Sequence, residues 1–128
     1  MAKKVLNIIE SAYRGTLEEQ DDTVVWLTHA LRNAGADVDV LLRGSAVNYA
    51  VKGQDASGLA FGERRQTKPP RIDDDLAKLR GKGSKVFIVA EDLAERGVER
   101  SELIGGIGPV SRNGLARLLG GYDQVLHW

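Results

Sequence analysis

Short apolar runs alternate along the chain with longer segments in which apolar residues recur every three or four positions. The runs Val5 to Ile9, Val38 to Leu42 and Lys85 to Ala90 are rich in β-branched residues, and their length predicts buried strands. Asp123 to Trp128 predicts a terminal strand. Because these strands alternate with helical segments, the pattern predicts a parallel sheet with helices on both faces.

The segments between the strands carry helix-start and helix-stop residues. A helix is predicted from Asp21 or Asp22 to Gly35, because aspartate suits a helix N-terminus and glycine its C-terminal end. Other helices are predicted to start at Ser45, Ile72, Glu91, Ser101 and Ser111, with the three serines as caps.

The predicted fold is a three-layer α/β/α domain with a flavodoxin-like, mostly parallel sheet of four to five strands. The length suits a single domain covering residues 1–128. Right-handed crossovers leave few topologies, and we expect the first strand to lie between the second and the third.

The segment Gly53 to Arg71 has no clear periodicity and is predicted to be a long loop. Loops of this length in small domains are functional, ordered by a partner or simply solvated. Two acidic residues, Asp55 and Glu63, stand in it against four basic ones, so it is locally basic. The basic residues are Arg64, Arg65, Lys68 and Arg71.

Composition and net charge limit the classes of partner that we expect this protein to bind. The chain is 42% hydrophobic and 28% charged, which is ordinary for a soluble globular protein. Lys+Arg and Asp+Glu balance at 18 each, so net charge favours neither nucleic acid nor an anionic membrane, and we expect neither. There is no secretory signal pattern, and the longest later apolar run, Val86 to Ala90, is too short to cross a bilayer.

The residue inventory limits metal and cofactor chemistry. The chain has two histidines and no cysteine, so a metal site has few ligands to draw on. No nucleotide-binding or hydrolase motif is present. We therefore expect no metal and no cofactor. With no disulfide and no targeting segment, the cytoplasm is the expected compartment.

Several motifs, by their order and spacing, resemble one known family. They include Arg43 to Val47, Lys85 to Gly97, Glu102 to Gly106 and Tyr122 to Leu126. Together with the opening strand and the first helix they cover nearly the whole chain. On this basis the chain resembles the DsrE/DsrF-like proteins, which are α/β proteins of the sulfur-relay type.

The resemblance implies a fold and an assembly but not the family's chemistry. Its sulfur-carrying members hold a persulfide on a cysteine at the end of the strand before the Arg96-Gly97 pair. That place falls on or next to Val89 here, and the chain has no thiol. The resemblance implies a homotrimer or hexamer and a sulfur-metabolism setting. Because only a thiolate carries sulfur in this way, it does not imply sulfurtransferase activity.

Polar residues follow three of the predicted strands. In open parallel sheets, ligands bind beyond the carboxyl ends of the strands, so these residues are predicted to line a site for a small anionic or polar ligand. Arginines there offer bidentate donors to an anion. The candidate ligand-binding residues are Glu10, Tyr13, Arg14, Arg43, Asn48, Glu91 and Asp92.

Each candidate also has a structural interpretation. Arg14 is either an anion ligand or a solvated charge, and Arg43 either binds a ligand or pairs with Glu91 or Asp92. Tyr13, like Tyr49, is a packing residue at a subunit interface or a stacking platform. Glu91 and Asp92 either form a carboxylate pair for acid/base chemistry, or Asp92 caps a helix.

Two classes of function remain. The first is a non-catalytic oligomeric subunit or small-ligand-binding protein, alone or paired with a cysteine-bearing relative, and linked to sulfur metabolism. The alternative is an enzyme that acts on a small polar or anionic substrate through carboxylate and arginine residues at the strand ends. The absence of a strong nucleophile favours the first class and leaves no catalytic residue to name.

Overall fold

A parallel sheet forms the centre of the protein in the computed structural model, which describes residues 3–13, 21–57 and 59–128. Within these residues five strands form the sheet in the order β6-β5-β2-β1-β7, and every neighbouring pair is parallel. The predicted three-layer α/β class with a parallel sheet is confirmed. The strands are β1 (Lys4–Ile9), β2 (Asp37–Leu42), β5 (Val86–Val89), β6 (Gly108–Val110) and β7 (Gln124–His127).

The strand order differs from the prediction. β1 lies between β2 and β7, and β5 lies on the far side of β2. The burial pattern gives the physical reason. β1, β2 and β5 are largely buried on both faces and occupy the middle of the sheet, whereas all four residues of β7 are exposed and take the edge beside β1. As expected, β5 is an interior strand.

Four α-helices and three short 3₁₀ segments connect the strands of the described residues. Asp22 caps α1, as predicted, because its carboxylate accepts hydrogen bonds from the N–H groups of Val24 and Val25 at 2.9 and 3.0 Å. No helix of these residues is both long and apolar enough to cross a membrane. The helices are α1 (Thr23–Asn33), α2 (Ile72–Gly81), α3 (Ala90–Glu95) and α4 (Leu115–Leu119), and the 3₁₀ segments are Gly44–Ala50, Arg100–Glu102 and Arg112–Gly114.

Two of the predicted serine caps are wrong. The segment after β2 begins at Gly44 rather than after Ser45, because the chain turns at Gly44 with a φ of +56°. The segment Arg100–Glu102 begins after Glu99 rather than at Ser101. Glu99 and Glu102 form a reciprocal capping box, in which the Glu99 N–H donates to the Glu102 carboxylate at 2.8 Å. The third predicted cap, Ser111, is confirmed.

The basic segment contains a small hairpin that periodicity did not reveal. β3 (Ala60–Phe61) pairs antiparallel with β4 (Arg64–Arg65), and Gly62 turns at a φ of +62°. Two residues per strand are too few to show an alternating pattern. The hairpin exposes 66% of the Phe61 side chain.

The sheet separates a large core from a small one. The large core lies under α1, α2 and the segment Gly44–Ala50, and it includes the fully buried Tyr49. The small core lies under α4 and contains Leu6, Ile8, Leu41 and Val89, with half-buried leucines of α4 packed against them. The edge strand β7 is incompletely covered, and Val125, Leu126 and Trp128 are 40%, 39% and 41% exposed.

Candidate functional site

Glu10 joins three neighbouring chain segments at the carboxyl end of the sheet. Its carboxylate lies 3.6 Å from Nε of Arg43, which follows β2, and 3.0 Å from Nε2 of His127, the last residue of β7. Its backbone N–H donates to the carbonyl of Trp128 at 3.0 Å. Glu10 therefore ties the ends of β1, β2 and β7 together through a partly exposed charged cluster.

Asp92 is the centre of a second group of charges, beside the ends of β5 and β6. It lies in the first turn of α3, and its side chain is 9% exposed. The Gly44 N–H donates to one carboxylate oxygen at 2.8 Å, and the Arg112 guanidinium donates to the other at 2.5 Å. Arg112 also binds Glu95 at 2.8 Å.

The protonation of Asp92 follows from these contacts. Burial raises the pKa of its carboxyl, but the hydrogen bonds from the Gly44 N–H and from Arg112 outweigh burial and hold the pKa below its usual value. The same bonds to Asp92 and Glu95 raise the pKa of Arg112. Asp92 is therefore an ionised, paired carboxylate at neutral pH and a weak proton acceptor.

Glu91 and Asp92 do not form an acid/base pair facing an open site. The Glu91 carboxylate accepts the backbone N–H of Arg112, with both oxygens at 3.0 Å, while Asp92 binds the side chain of the same residue. Asp92 is not a helix cap either, since Val89 occupies the cap position of α3. The predicted pairing of Arg43 with these carboxylates is also wrong. Arg43 pairs with Glu10, which follows β1, and the guanidinium that pairs with Asp92 is that of Arg112.

Tyr13 lies on a network that reaches the start of α1. Its backbone, at a φ of +60°, donates to the Tyr49 hydroxyl at 2.7 Å, and that hydroxyl donates to Asp22 at 2.5 Å. The two rings meet edge to face with centroids 5.1 Å apart. Because Tyr49 is fully buried within the chain, its predicted place at a subunit interface is wrong. The phenol of Tyr13 donates to Gln54 at 2.8 Å.

Asn48 does not join the charged clusters. The Asn48 amide donates to the carbonyl of Ser45 at 3.0 Å and so stabilises its own turn. Arg14 lies outside the described residues. The structure thus brings Glu10 together with Arg43, and Glu91 with Asp92, in two separate groups.

The sequence did not single out Arg112 and His127 as members of these clusters. Arg112 follows β6, a strand of three residues, which is too short to show an alternating pattern. Recognising Pro109-Val110 as a strand would have placed Arg112 at the carboxyl edge. His127 ends β7, and its contact with Glu10 follows from the parallel register that sets Ile8 opposite His127.

The described residues offer no metal-binding cluster. No group of three or more His, Asp or Glu side chains in residues 3–13, 21–57 and 59–128 converges as metal ligands would. The strand-end carboxylates instead face arginine, histidine and backbone N–H groups. This geometry is that of ion pairs that fix loops.

Val89 occupies the last position of β5, opposite Val110 of β6, and leads directly into α3. It is 1% exposed and belongs to the small core. The sequence matches the DsrE/DsrF-like family over residues 3–128. The chain belongs to this family. Val89 is thus an aliphatic core residue in this DsrE/DsrF-like protein, at the strand end to which the resemblance assigns a cysteine.

Solved structures support the fold of this DsrE/DsrF-like protein. The ychN protein from E. coli is 23% identical over the full length of both chains, with a TM-score of 0.73. Protein MTH1491 from Methanobacterium thermoautotrophicum is 20% identical over both full lengths, with a TM-score of 0.60. Protein BT1422 from Bacteroides thetaiotaomicron is 13% identical over 98% of this chain and 95% of its own, with a TM-score of 0.68. No curated protein matches the sequence.

Proposed function

We propose that this DsrE/DsrF-like protein is a non-catalytic subunit of an oligomer, linked to sulfur metabolism through its family. The observation that carries the proposal is the buried Val89 at the end of β5 in a chain without cysteine. A persulfide requires a thiolate, and valine offers no nucleophile. The protein therefore contributes structure or contacts rather than a sulfur-carrying side chain.

The paired state of Asp92 supports the non-catalytic part of the proposal. A general base needs a pKa near the working pH and a free path to the proton it removes. The carboxylate of Asp92 is held by Gly44 and Arg112, and its pKa is lowered. These contacts suit a residue that positions the turn after β2 against α3.

The exposed edge strand supports the oligomeric part. Among the described residues no strand pairs with the outer side of β7, and Val125, Leu126 and Trp128 expose apolar surface on or next to it. Such edges are usually covered, because they otherwise template aggregation. We place the subunit contact of a homotrimer or hexamer there. A mixed oligomer with a cysteine-bearing relative would use the same surface.

Light scattering on the wild type and two variants tests the assembly. We expect a trimer or hexamer mass for the wild type and a smaller mass for Val125→Lys, which places a charge in the contact. Phe61→Lys is the control, because Phe61 is an even more exposed apolar residue that lies on the hairpin, away from β7, and the mass of this variant should equal that of the wild type. A monomer mass for the wild type across micromolar concentrations would contradict the proposal.

Intact mass spectrometry after incubation with glutathione persulfide tests the chemistry. The wild type should gain no sulfur, whereas Ala94→Cys, a thiol on the exposed side of α3, should gain it and so show that the donor is active. A stable sulfur adduct on the wild type would overturn the proposal. Native mass spectrometry with a cysteine-bearing family member then distinguishes a self-assembly from a mixed one.

A second candidate function is the binding of a small anion at the strand ends. Its support is Arg43, whose side chain is 37% exposed and whose ion pair with Glu10 is long, at 3.6 Å. Phosphate, sulfite or thiosulfate should then raise the melting temperature of the wild type and of Arg117→Gln but not of Arg43→Gln. Turnover of such an anion, lost in Arg43→Gln, would favour the enzyme alternative.

A further inference from the structure

A cavity of about 290 Å³ lies beside β5 and β6. Its lining is partly apolar, with Ile88, Leu103, Ile107 and Pro109, and partly polar, with the exposed Arg100 and Ser101, here called its rim. We propose that this cavity, here called the β6 pocket, binds a small molecule with an apolar body and one carboxylate. It shares no residue with the Glu10 or Asp92 clusters.

The segment that carries Arg100 and Ser101 forms one wall of the pocket and is attached to the rest of the fold. Leu103 forms an antiparallel bridge with Val51, and the Ile104 N–H donates to the carbonyl of Ala50 at 2.9 Å. On the other side of the pocket, β6 is paired with β5. Because the segment between these two attachments is anchored at both ends, the pocket is preformed.

Arg80 braces the middle of that segment from outside the pocket. Its guanidinium donates to the carbonyl of Gly105 at 2.8 Å. Gly106 has a φ of +78°, and a Cβ there would lie 2.0 Å from the guanidinium carbon of Arg80. The positive φ of Gly106 and the close approach of Arg80 both favour glycine at this position.

The rim supplies an uncommitted cation. Glu99 and Glu102 flank Arg100 in sequence, but both carboxylates are engaged in the capping box with each other's N–H groups. Within the part of the chain that the structure describes, the Arg100 guanidinium has no ion pair or hydrogen bond. Arginine binds carboxylates bidentately, and the Ser101 hydroxyl provides a further donor at the same rim.

The size of the pocket limits the ligand. At about 30 Å³ per water molecule, its volume equals that of roughly ten waters. A short-chain or simple aromatic carboxylate fills this space with apolar atoms and leaves its charge at the rim. An anion without an apolar body leaves the walls uncovered, and a neutral apolar compound leaves Arg100 unpaired.

Titrations followed by ¹H–¹⁵N NMR on the full chain test the proposal, with hexanoate and phenylacetate as probes and acetate and hexanol as their controls. Hexanoate and phenylacetate should shift the amides of residues 100–108 and of Ile88 saturably. Arg100→Gln should weaken hexanoate binding by roughly tenfold, as expected for a lost charge-assisted hydrogen bond, and Arg117→Gln should not. Ile107→Trp, which fills the pocket, should abolish binding.

Three results would overturn the proposal. One is the absence of saturable shifts at residues 100–108, and another is equal affinity in Arg100→Gln and the wild type. The third is a shift of these amides on dilution rather than on addition of carboxylate, which would mean that a second copy of the chain fills the pocket. Arg100 is exposed, so its variant retains the fold and keeps the test valid even where Ile107→Trp unfolds.

Discussion

The backbone N–H of Gly44 donates a 2.8 Å hydrogen bond to the carboxylate of Asp92. This bond joins the turn after β2 to the first turn of α3, which follows β5. The positive φ of Gly44 makes the turn, and a Cβ there would lie 3.1 Å from Cγ of Glu10. Asp92 thus positions the same turn that carries Arg43 toward Glu10.

Removing the carboxylate should destabilise the fold. We expect Asp92→Ala to lower the free energy of unfolding by about 1–3 kcal/mol, because the Gly44 N–H and Arg112 lose their acceptor. Urea unfolding followed by circular dichroism measures the change. Glu63→Ala, an exposed acidic residue of the hairpin, is the control and should change the stability by less than about 0.5 kcal/mol. A loss no larger than that of the control would show that the bond has no stabilising role.

The stability contributed by Asp92 should depend on pH in the acid range. Its folded pKa is depressed, so its contribution is fully present above the unfolded pKa of about 3.9 and is lost as pH falls through the folded pKa. The difference in unfolding free energy between the wild type and Asp92→Asn should therefore be constant from pH 5 to 7 and shrink below about pH 4. A difference that stays constant down to about pH 2 would contradict the depressed pKa.

The buried hydroxyl of Tyr49 should matter more than the exposed one of Tyr13. Tyr49→Phe keeps the ring packing but removes the donor to Asp22 and the acceptor of the Tyr13 N–H, and we expect a loss of about 1–3 kcal/mol. Tyr13→Phe removes an exposed bond to Gln54 and should cost less than about 1 kcal/mol. Thermal and urea unfolding of both variants provide the comparison, and equal losses would exclude the buried network as the cause.

Tyr122 should give the protein a distinct alkaline response. Its phenol donates to the buried Asp39 carboxylate at 2.6 Å, and burial, followed by that bond, raises the pKa of Tyr122 above its usual value. A raised folded pKa means that the contribution is present below the unfolded pKa of about 10 and is lost as pH rises further. Tyr122→Phe should have a free energy of unfolding roughly 1–2 kcal/mol lower than that of the wild type at pH 8. As the pH rises above about 10, the free energy of unfolding of this variant should fall less than that of the wild type. Parallel alkaline slopes for the two proteins would contradict this assignment.

The fold was more predictable than the site, for physical reasons. Apolar runs, glycine stops and the Asp22 cap are local signals, and they located β1, β2, β5, α1 and α2 correctly. Strand order depends on which strands are buried on both faces, and the exposure of β7 is visible only once the sheet is assembled. The predicted order already placed β1 beside β2, but it did not show that Glu10, rather than Glu91 or Asp92, lies next to the Arg43 side chain.

A cysteine introduced at Val89 should not restore sulfur chemistry by itself. Val89 is 1% exposed and packs in the small core, so burial should raise the pKa of a thiol there and block access to it. We expect Val89→Cys to react with an aromatic disulfide reagent at least about tenfold more slowly than Ala94→Cys, whose thiol is exposed on α3, the helix that follows Val89. Ala90→Cys, one residue further and half-buried, should react at an intermediate rate. If Val89→Cys reacts as fast as Ala94→Cys, the end of β5 is open to solvent, and the absence of a thiol alone separates this chain from the sulfur carriers.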